Sequence, residues 1–195
     1  MSPRSIVPVL CTVAVILLSA PAGAESHRGD LGAGGVRATG GLYGAALTAN
    51  WTLTELPEPG AAAPAGEAVS VAAWEVSAVA DVAYVSGTRD GGDYSRTSFL
   101  AGPRFTLARV ESFRRLMPFG EVLVGSVRQS RSGAKTHLGG AFGVGLDVPL
   151  GSLAPAARPP AIALRARYAK HWINEDTTAW YDEVVVALVW RFTRK

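Results

Sequence analysis

Near the C-terminus the stretch Glu183-Val-Val-Val-Ala-Leu-Val-Trp-Arg-Phe192 sorts its side chains into two alternate sets. Val184, Val186, Leu188, Trp190 and Phe192 form one set; Glu183, Val185, Ala187, Val189 and Arg191 form the other. A period of two is the geometry of a strand whose two faces meet different surroundings. Residues 162–172 repeat the pattern, with Ile162, Leu164, Ala166, Tyr168 and Trp172 opposite Arg165, Arg167 and His171. One face suits lipid or a packed core, and the other holds acids and bases. Beyond residue 24 no apolar run approaches the ~18 residues of a spanning helix. A membrane-crossing form of this chain therefore has to be a closed barrel, because only closure satisfies every strand backbone group in lipid.

The N-terminus has a basic residue, Arg4, an apolar stretch over residues 6–18, and the small-residue pattern Ala22-Gly23-Ala24. That order predicts a secretory signal peptide over residues 1–24. The single cysteine, Cys11, lies inside it, which leaves the exported chain without disulfides or a thiol nucleophile. Lys+Arg number 19 against 16 Asp+Glu. Such near balance, in an exported chain, argues against nucleic-acid binding. The length fits one domain.

After a short leader, residues 25–30, alternation or turn chemistry marks eight segments over residues 31–192. The first, 31–39, is glycine-rich and a poor strand by propensity. The second, 41–53, sets Tyr43, Ala45, Leu47, Ala49, Trp51 and Leu53 against Gly44, Thr48, Asn50 and Thr52. A Pro/Ala-rich insertion over 55–73 then interrupts the pattern. Strands follow at 74–86, 98–108, 118–128, 138–148, 162–172 and 181–192, with a tail at 193–195. Pro103 predicts a bulge or a break in the fourth, since proline donates no ladder hydrogen bond. In the sixth, Gly139, Ala141, Gly143, Gly145 and Asp147 oppose Leu138, Phe142, Val144, Leu146 and Val148, and small residues fit a narrow interior. An even number of sequential segments predicts an all-β, eight-stranded antiparallel up-and-down transmembrane barrel. Polar stretches at 87–97, 129–136 and 174–180 are its expected surface loops.

The runs Val79-Ala-Asp-Val-Ala-Tyr-Val-Ser-Gly87, Phe99-Leu-Ala-Gly-Pro-Arg-Phe105, Pro118-Phe119, Gly139-Gly-Ala-Phe-Gly-Val-Gly-Leu-Asp-Val148, Leu164-Arg-Ala-Arg-Tyr168 and Val189-Trp-Arg-Phe192 carry a resemblance through their order and spacing. Together they resemble the bacterial outer membrane protein beta-barrel domain family over about residues 41–192. The resemblance implies a signal peptide, a small barrel in the Gram-negative outer membrane, and no shared catalytic site. Two features depart from it: the insertion falls where a short periplasmic turn is usual, and Thr193-Arg-Lys195 follows the final aromatic.

On the barrel reading the charged face comprises Asp81, Arg104, Glu121, Asp147, Arg165, Arg167, Glu183 and Arg191, four acids and four bases that would pair across a narrow lumen. A salt-bridged plug is the expectation, with a selective pore as its functional variant. Tyr43, Tyr84, Phe99, Trp172, Trp180 and Tyr181 gather near one set of strand ends and Trp51, Trp74, Trp190 and Phe192 near the other, as two membrane-interface girdles. Neither cofactor nor metal is implied: there is no His/Cys cluster, and Asp90 with Asp93 lacks calcium-loop spacing. The expected partners are outer-membrane lipid and lipopolysaccharide and the barrel assembly machinery, with the chain a monomer. The function expected is non-enzymatic, structural or surface-interacting. Two alternatives stand beside it. A lipid A deacylase-like enzyme would need a serine, a histidine and an acid in reach; His171, near a membrane boundary, is the best-placed histidine. A soluble lipocalin-like carrier would turn its apolar face inward around a ligand.

Overall fold

The computed structural model describes residues 27–55, 74–89, 91–107, 116–130, 133–150, 162–174 and 178–194. The expected signal peptide and nearly all of the 55–73 insertion lie outside them. Eight strands, β1 (His27–Ala38), β2 (Leu42–Glu55), β3 (Trp74–Arg89), β4 (Gly92–Leu107), β5 (Met117–Ser130), β6 (Ala134–Pro149), β7 (Ile162–Ile173) and β8 (Ala179–Arg194), follow one another around a ring. Each pairs antiparallel with its sequence neighbours, and β1 pairs with β8 from His27↔Arg194 to Ala38↔Glu183, so no edge is left open. Closure removes the unpaired N–H and C=O rows that lipid could not satisfy.

Several boundaries differ from those expected. β1 begins at His27, so most of the 25–30 leader is strand, and β8 runs through Thr193 to Arg194, so most of the 193–195 tail is too. Both extensions follow from β1–β8 pairing, which supplies hydrogen-bond partners to residues whose side chains alone are uninformative. The glycine-rich first segment is held the same way, between Ala46, Ala45 and Ala187, Val186.

The expected surface loops shrink most. β3 continues to Arg89 and β4 starts at Gly92, so only residues 90–91 separate them where a loop over 87–97 is expected. Gly91 takes φ 77°, the left-handed conformation that tight hairpins require and glycine adopts freely. Likewise only 131–133 separate β5 from β6, 39–41 separate β1 from β2, and 174–178 separate β7 from β8. These four short connections define one end, called the hairpin end. The terminal end carries the His27↔Arg194 pairing and the other three connections.

Pro103 causes neither bulge nor break. On β3 it faces Ala78 in unbroken register, while towards β5 the ladder lapses between Ala101↔Val124 and Arg104↔Glu121 and resumes unshifted. The one register shift in the β2–β3 ladder lies between Thr52 and Thr54 instead.

Outward side chains are apolar over most of the wall. On β8, Val184, Val186, Leu188 and Trp190 are all exposed, as are Phe142 and Val144 on β6, Ile162 and Leu164 on β7, and Val122 and Val124 on β5. A water-soluble barrel would not show such a continuous apolar belt. With charges inside and hydrocarbon side chains outside, the lipocalin-like arrangement is reversed, and the surface is that of a membrane barrel.

Candidate functional site in the barrel interior

Alternation points every second residue of each strand into a lumen only wide enough for side chains. Among the inward residues near the hairpin end, Leu42, Val85, Tyr94, Val127, Ile173 and Tyr181 form a largely apolar buried layer, with Arg96 beside Val85 and the Arg89 guanidinium 5.7 Å from the Tyr94 ring centre. Below this cap the lumen is filled by charge.

A first network centres on Arg167 of β7. Its Nη1 donates to Asp81 Oδ2 of β3 at 2.6 Å and to Glu121 Oε1 of β5 at 3.0 Å, and its Nη2 reaches Glu183 Oε1 of β8 at 3.3 Å. Arg96 of β4 donates to Glu183 Oε2 at 2.9 Å, and Arg104 donates through Nε and Nη2 to Glu121 Oε2 at 2.9 and 2.7 Å. Thr48 Oγ1 adds a bond to Asp81 Oδ2 at 3.0 Å. Three guanidiniums thus face three carboxylates.

The second network lies towards the terminal end. Arg165 binds Asp147 through Nε and Nη2 at 2.7 and 2.8 Å, and reaches Asp30 on β1 with Nη2 at 3.0 Å and Nη1 at 3.3 Å. Arg191, partly open to solvent, donates to Asp147 Oδ2 at 2.8 Å, and Asn50 Nδ2 donates to Asp30 Oδ2 at 3.1 Å. Here two bases meet two acids. Each network is neutral as a unit, which is what allows ions into a space where an unpaired charge would cost several kcal/mol, on the order of the penalty for any desolvated ion. Phe119 sits between them, with the Arg104 guanidinium 4.3 Å and the Arg165 guanidinium 5.2 Å from its ring centre.

β6 makes room for this filling. A Cβ on Gly143 would lie 2.8 Å from Glu121 Cγ, and one on Gly145 would lie 2.7 Å from Phe119 Cε1 and from the Ala166 carbonyl. The large/small division of that strand is therefore a packing requirement set by Phe119 and Glu121 opposite. Gly145→Val should destabilise the folded barrel by about 1–3 kcal/mol, the usual cost of overpacking. A urea titration in detergent checks this; an unchanged midpoint would show that the Phe119 ring can move aside.

All eight charged residues singled out from the sequence line this space. Asp81, Arg104, Glu121, Asp147, Arg165, Arg167 and Glu183 are buried, and Arg191 stands at the terminal mouth. The partners differ from a simple neighbour rule: Glu183 binds Arg96 and Arg167, whereas Arg191 joins Asp147. Two members were missed. The sequence places Asp30 in the expected leader and Arg96 in an expected loop, whereas the β1 and β4 alternation, extended by one or two steps, turns both inward, where they are buried.

His171 is not an interfacial residue. It is 1% exposed, stacked on Tyr181 with ring centres 4.7 Å apart, and its Nε2 lies 3.5 Å from Glu183 Oε1. Tyr181, expected in an outer girdle, belongs to the same interior stack, with the Arg96 guanidinium 3.5 Å above its ring. The parity of β8 demands this, since Tyr181 and Glu183 share a face. Of the other girdle aromatics, Tyr43, Trp74, Trp180 and Trp190 are exposed on the outer wall and Trp51, Tyr84, Trp172 and Phe192 are half-covered. Phe99 is exposed but stands at the middle of β4, away from either end.

No protein-family model matches the sequence, and no curated protein matches it either. Solved structures do match. Neisserial surface protein A superposes with a TM-score of 0.51 at 13% identity, over 86% of this chain and 96% of that one. The outer membrane enzyme PagL superposes with a TM-score of 0.51 at 15% identity, over 82% of this chain and 97% of that one. Closed ring, strand number, apolar wall and these two superpositions agree: the chain has the fold of the small eight-stranded outer-membrane β-barrels.

Proposed function

We propose that this chain is exported to the bacterial outer membrane by residues 1–24 and serves there as a non-enzymatic, structural barrel with a sealed interior. The supporting observation is the neutral double network of guanidiniums and carboxylates beneath an apolar cap. A conducting lumen needs a water-lined path, whereas here each buried guanidinium and carboxylate of the two networks is hydrogen-bonded to another side chain. Single-channel recording in planar bilayers should give no steady current at neutral pH; a large, stable conductance would overturn the sealed interior. Heat-modifiable gel mobility in detergent is expected as well, and recovery of the exported protein from the soluble periplasm without detergent would sink the membrane assignment.

An enzymatic reading has one observation in its favour, the fold shared with PagL. Against it, His171 is enclosed by the wall and held between Tyr181 and Glu183, where no acyl chain in the surrounding lipid reaches it. Mass spectrometry of lipid A from cells with and without the protein should show the same acyl chains. Loss of a chain that depends on His171 would reinstate the enzyme.

A further inference from the structure

Among the described side chains the outer wall is polar at one end only. On β4 the outward residues Asp93, Ser95 and Thr97 precede Phe99, Ala101, Pro103, Phe105 and Leu107, and on β5 Val122 and Val124 give way to Ser126, Arg128 and Ser130. Ser86 and Thr88 on β3, Thr136 on β6, Lys170 on β7, Asp182 on β8 and Arg37 on β1 extend this collar around the hairpin end. At the terminal end the apolar belt runs to Leu53, Trp74, Leu107, Leu150 and Ile162. Strands of 14–16 residues, as in β2 to β6, also exceed the ~9–11 that cross the hydrocarbon. The excess is the collar, so the wall projects beyond the hydrocarbon on the hairpin side and into the headgroup layer.

Within the collar one patch is built differently from the rest. Lys170 stands across from Asp182 in the β7–β8 ladder, and Thr39, just past the end of β1, binds the Asp182 backbone, with its Oγ1 accepting from the Asp182 N–H at 2.9 Å. Arg37, two residues along, faces Val184 on β8 and Tyr43 on β2. Lys170 Nζ lies 5.8 Å from the Trp180 ring centre, and the Arg37 guanidinium lies 5.8 Å from that of Tyr43. Both rings are more than half exposed, so each pairs an apolar interfacial body with a cation at its rim. Asp182, the acid between the bases, is engaged by the Tyr168 hydroxyl, which donates to Oδ1 at 2.6 Å. Among the described residues neither base forms an ion pair. Two bases, on strands roughly 10 Å apart and two inter-strand spacings from one another, therefore flank β8 at headgroup height.

We propose that this patch binds the phosphorylated headgroup of an outer-leaflet glycolipid, with Lys170 and Arg37 as its phosphate contacts and Trp180 and Tyr43 seated at the acyl boundary. The inference rests on the membrane-barrel reading, in which the β2–β3 connection lies on the periplasmic side and the hairpin end faces outward, and adds a ligand class to it. Charge complementarity carries it, since outward charge among the described side chains occurs only at this end and the two ring-supported bases lie on one face. Arg128, on β5 and well away from β8, is a base of the same collar with no such ring and serves as an internal control.

The test uses the exported full chain in phosphatidylcholine nanodiscs doped with either phosphorylated or enzymatically dephosphorylated lipid A of the same acyl composition. The measured quantity is the ratio of apparent affinities for the two lipids. Wild type should prefer the phosphorylated form. Arg37→Gln and Lys170→Gln, which keep much of each side-chain stem, should each cut the preference about fivefold, the worth of one base at an anionic surface. The pair should abolish it, while Arg128→Gln should change it by less than about twofold, as expected of a distant, uncoupled site. Absence of any preference in wild type, or an equal loss in Arg128→Gln, overturns the proposal, the second result revealing diffuse surface charge. Displacement of the lipid by inorganic phosphate alone at equal concentration would also overturn it, by assigning the site to a free anion. Heat-modifiable mobility is recorded for every variant: failure of the wild type to insert counts against the membrane barrel itself, whereas insertion without selectivity counts against the headgroup site alone.

Discussion

Arg167→Ala is expected to cost about 3–5 kcal/mol of barrel stability, the penalty for breaking a buried ion pair from one side. This guanidinium is shared by Asp81, Glu121 and Glu183, on three other strands, and its removal strips all three carboxylates of a partner at once. Glu121 retains Arg104 and Glu183 retains Arg96, but among the described ion pairs Asp81 keeps none, only the Thr48 hydroxyl. Urea titration in detergent, read by heat-modifiable mobility, should therefore show a large fall in midpoint. Arg167→Met combined with Asp81→Asn should lose less than the two single changes added together, because neutralising both partners leaves fewer uncompensated charges. A loss below about 1 kcal/mol for Arg167→Ala would mean that water, not the ion pairs, fills the lumen.

The second large effect is on the opposite face. Leu188 is 58% exposed at the centre of the apolar run Val184 to Phe192, so Leu188→Arg should cost about 2–4 kcal/mol in lipid vesicles, the penalty for a base at the bilayer midplane. Ser130→Arg, at the polar collar, should cost about 0–1 kcal/mol. The contrast maps membrane depth along the wall. Equal, near-zero costs at both positions would mean that the belt faces water, and would undo the placement of the collar at headgroup height.

Much of this barrel is legible in local sequence because strand parity is a strictly local property. Once Glu183 is inward, Tyr181, Val185 and Ala187 must be as well, and reading parity one step further would have kept Tyr181 out of the outer girdle. Asp30 and Arg96 escaped for a related reason. Gly29, Gly32 and the turn-like residues around Asp90 lower strand propensity, yet backbone pairing with β8 and β3 holds those segments extended. Propensity describes a segment alone, and pairing depends on neighbours far along the chain. The long expected loops failed in the same way: polar residues such as Thr88, Asp93 and Ser130 signal water, and a strand that projects past the hydrocarbon meets water without ceasing to be a strand.

What the sequence determined by itself is the number of strands, their order and the two faces of each, because alternation, turn residues and the lack of a spanning helix depend on nothing distant. Which face turns inward, and which charge meets which, was decided only by closure. Arg167 and Asp81 are 86 residues apart, and Arg165 and Asp30 are 135 apart. No local pattern encodes such pairs. They arise when β1 bonds to β8 and the ring's curvature gathers eight inward faces around one narrow axis, where opposite charges are the arrangement that lets ions stay buried.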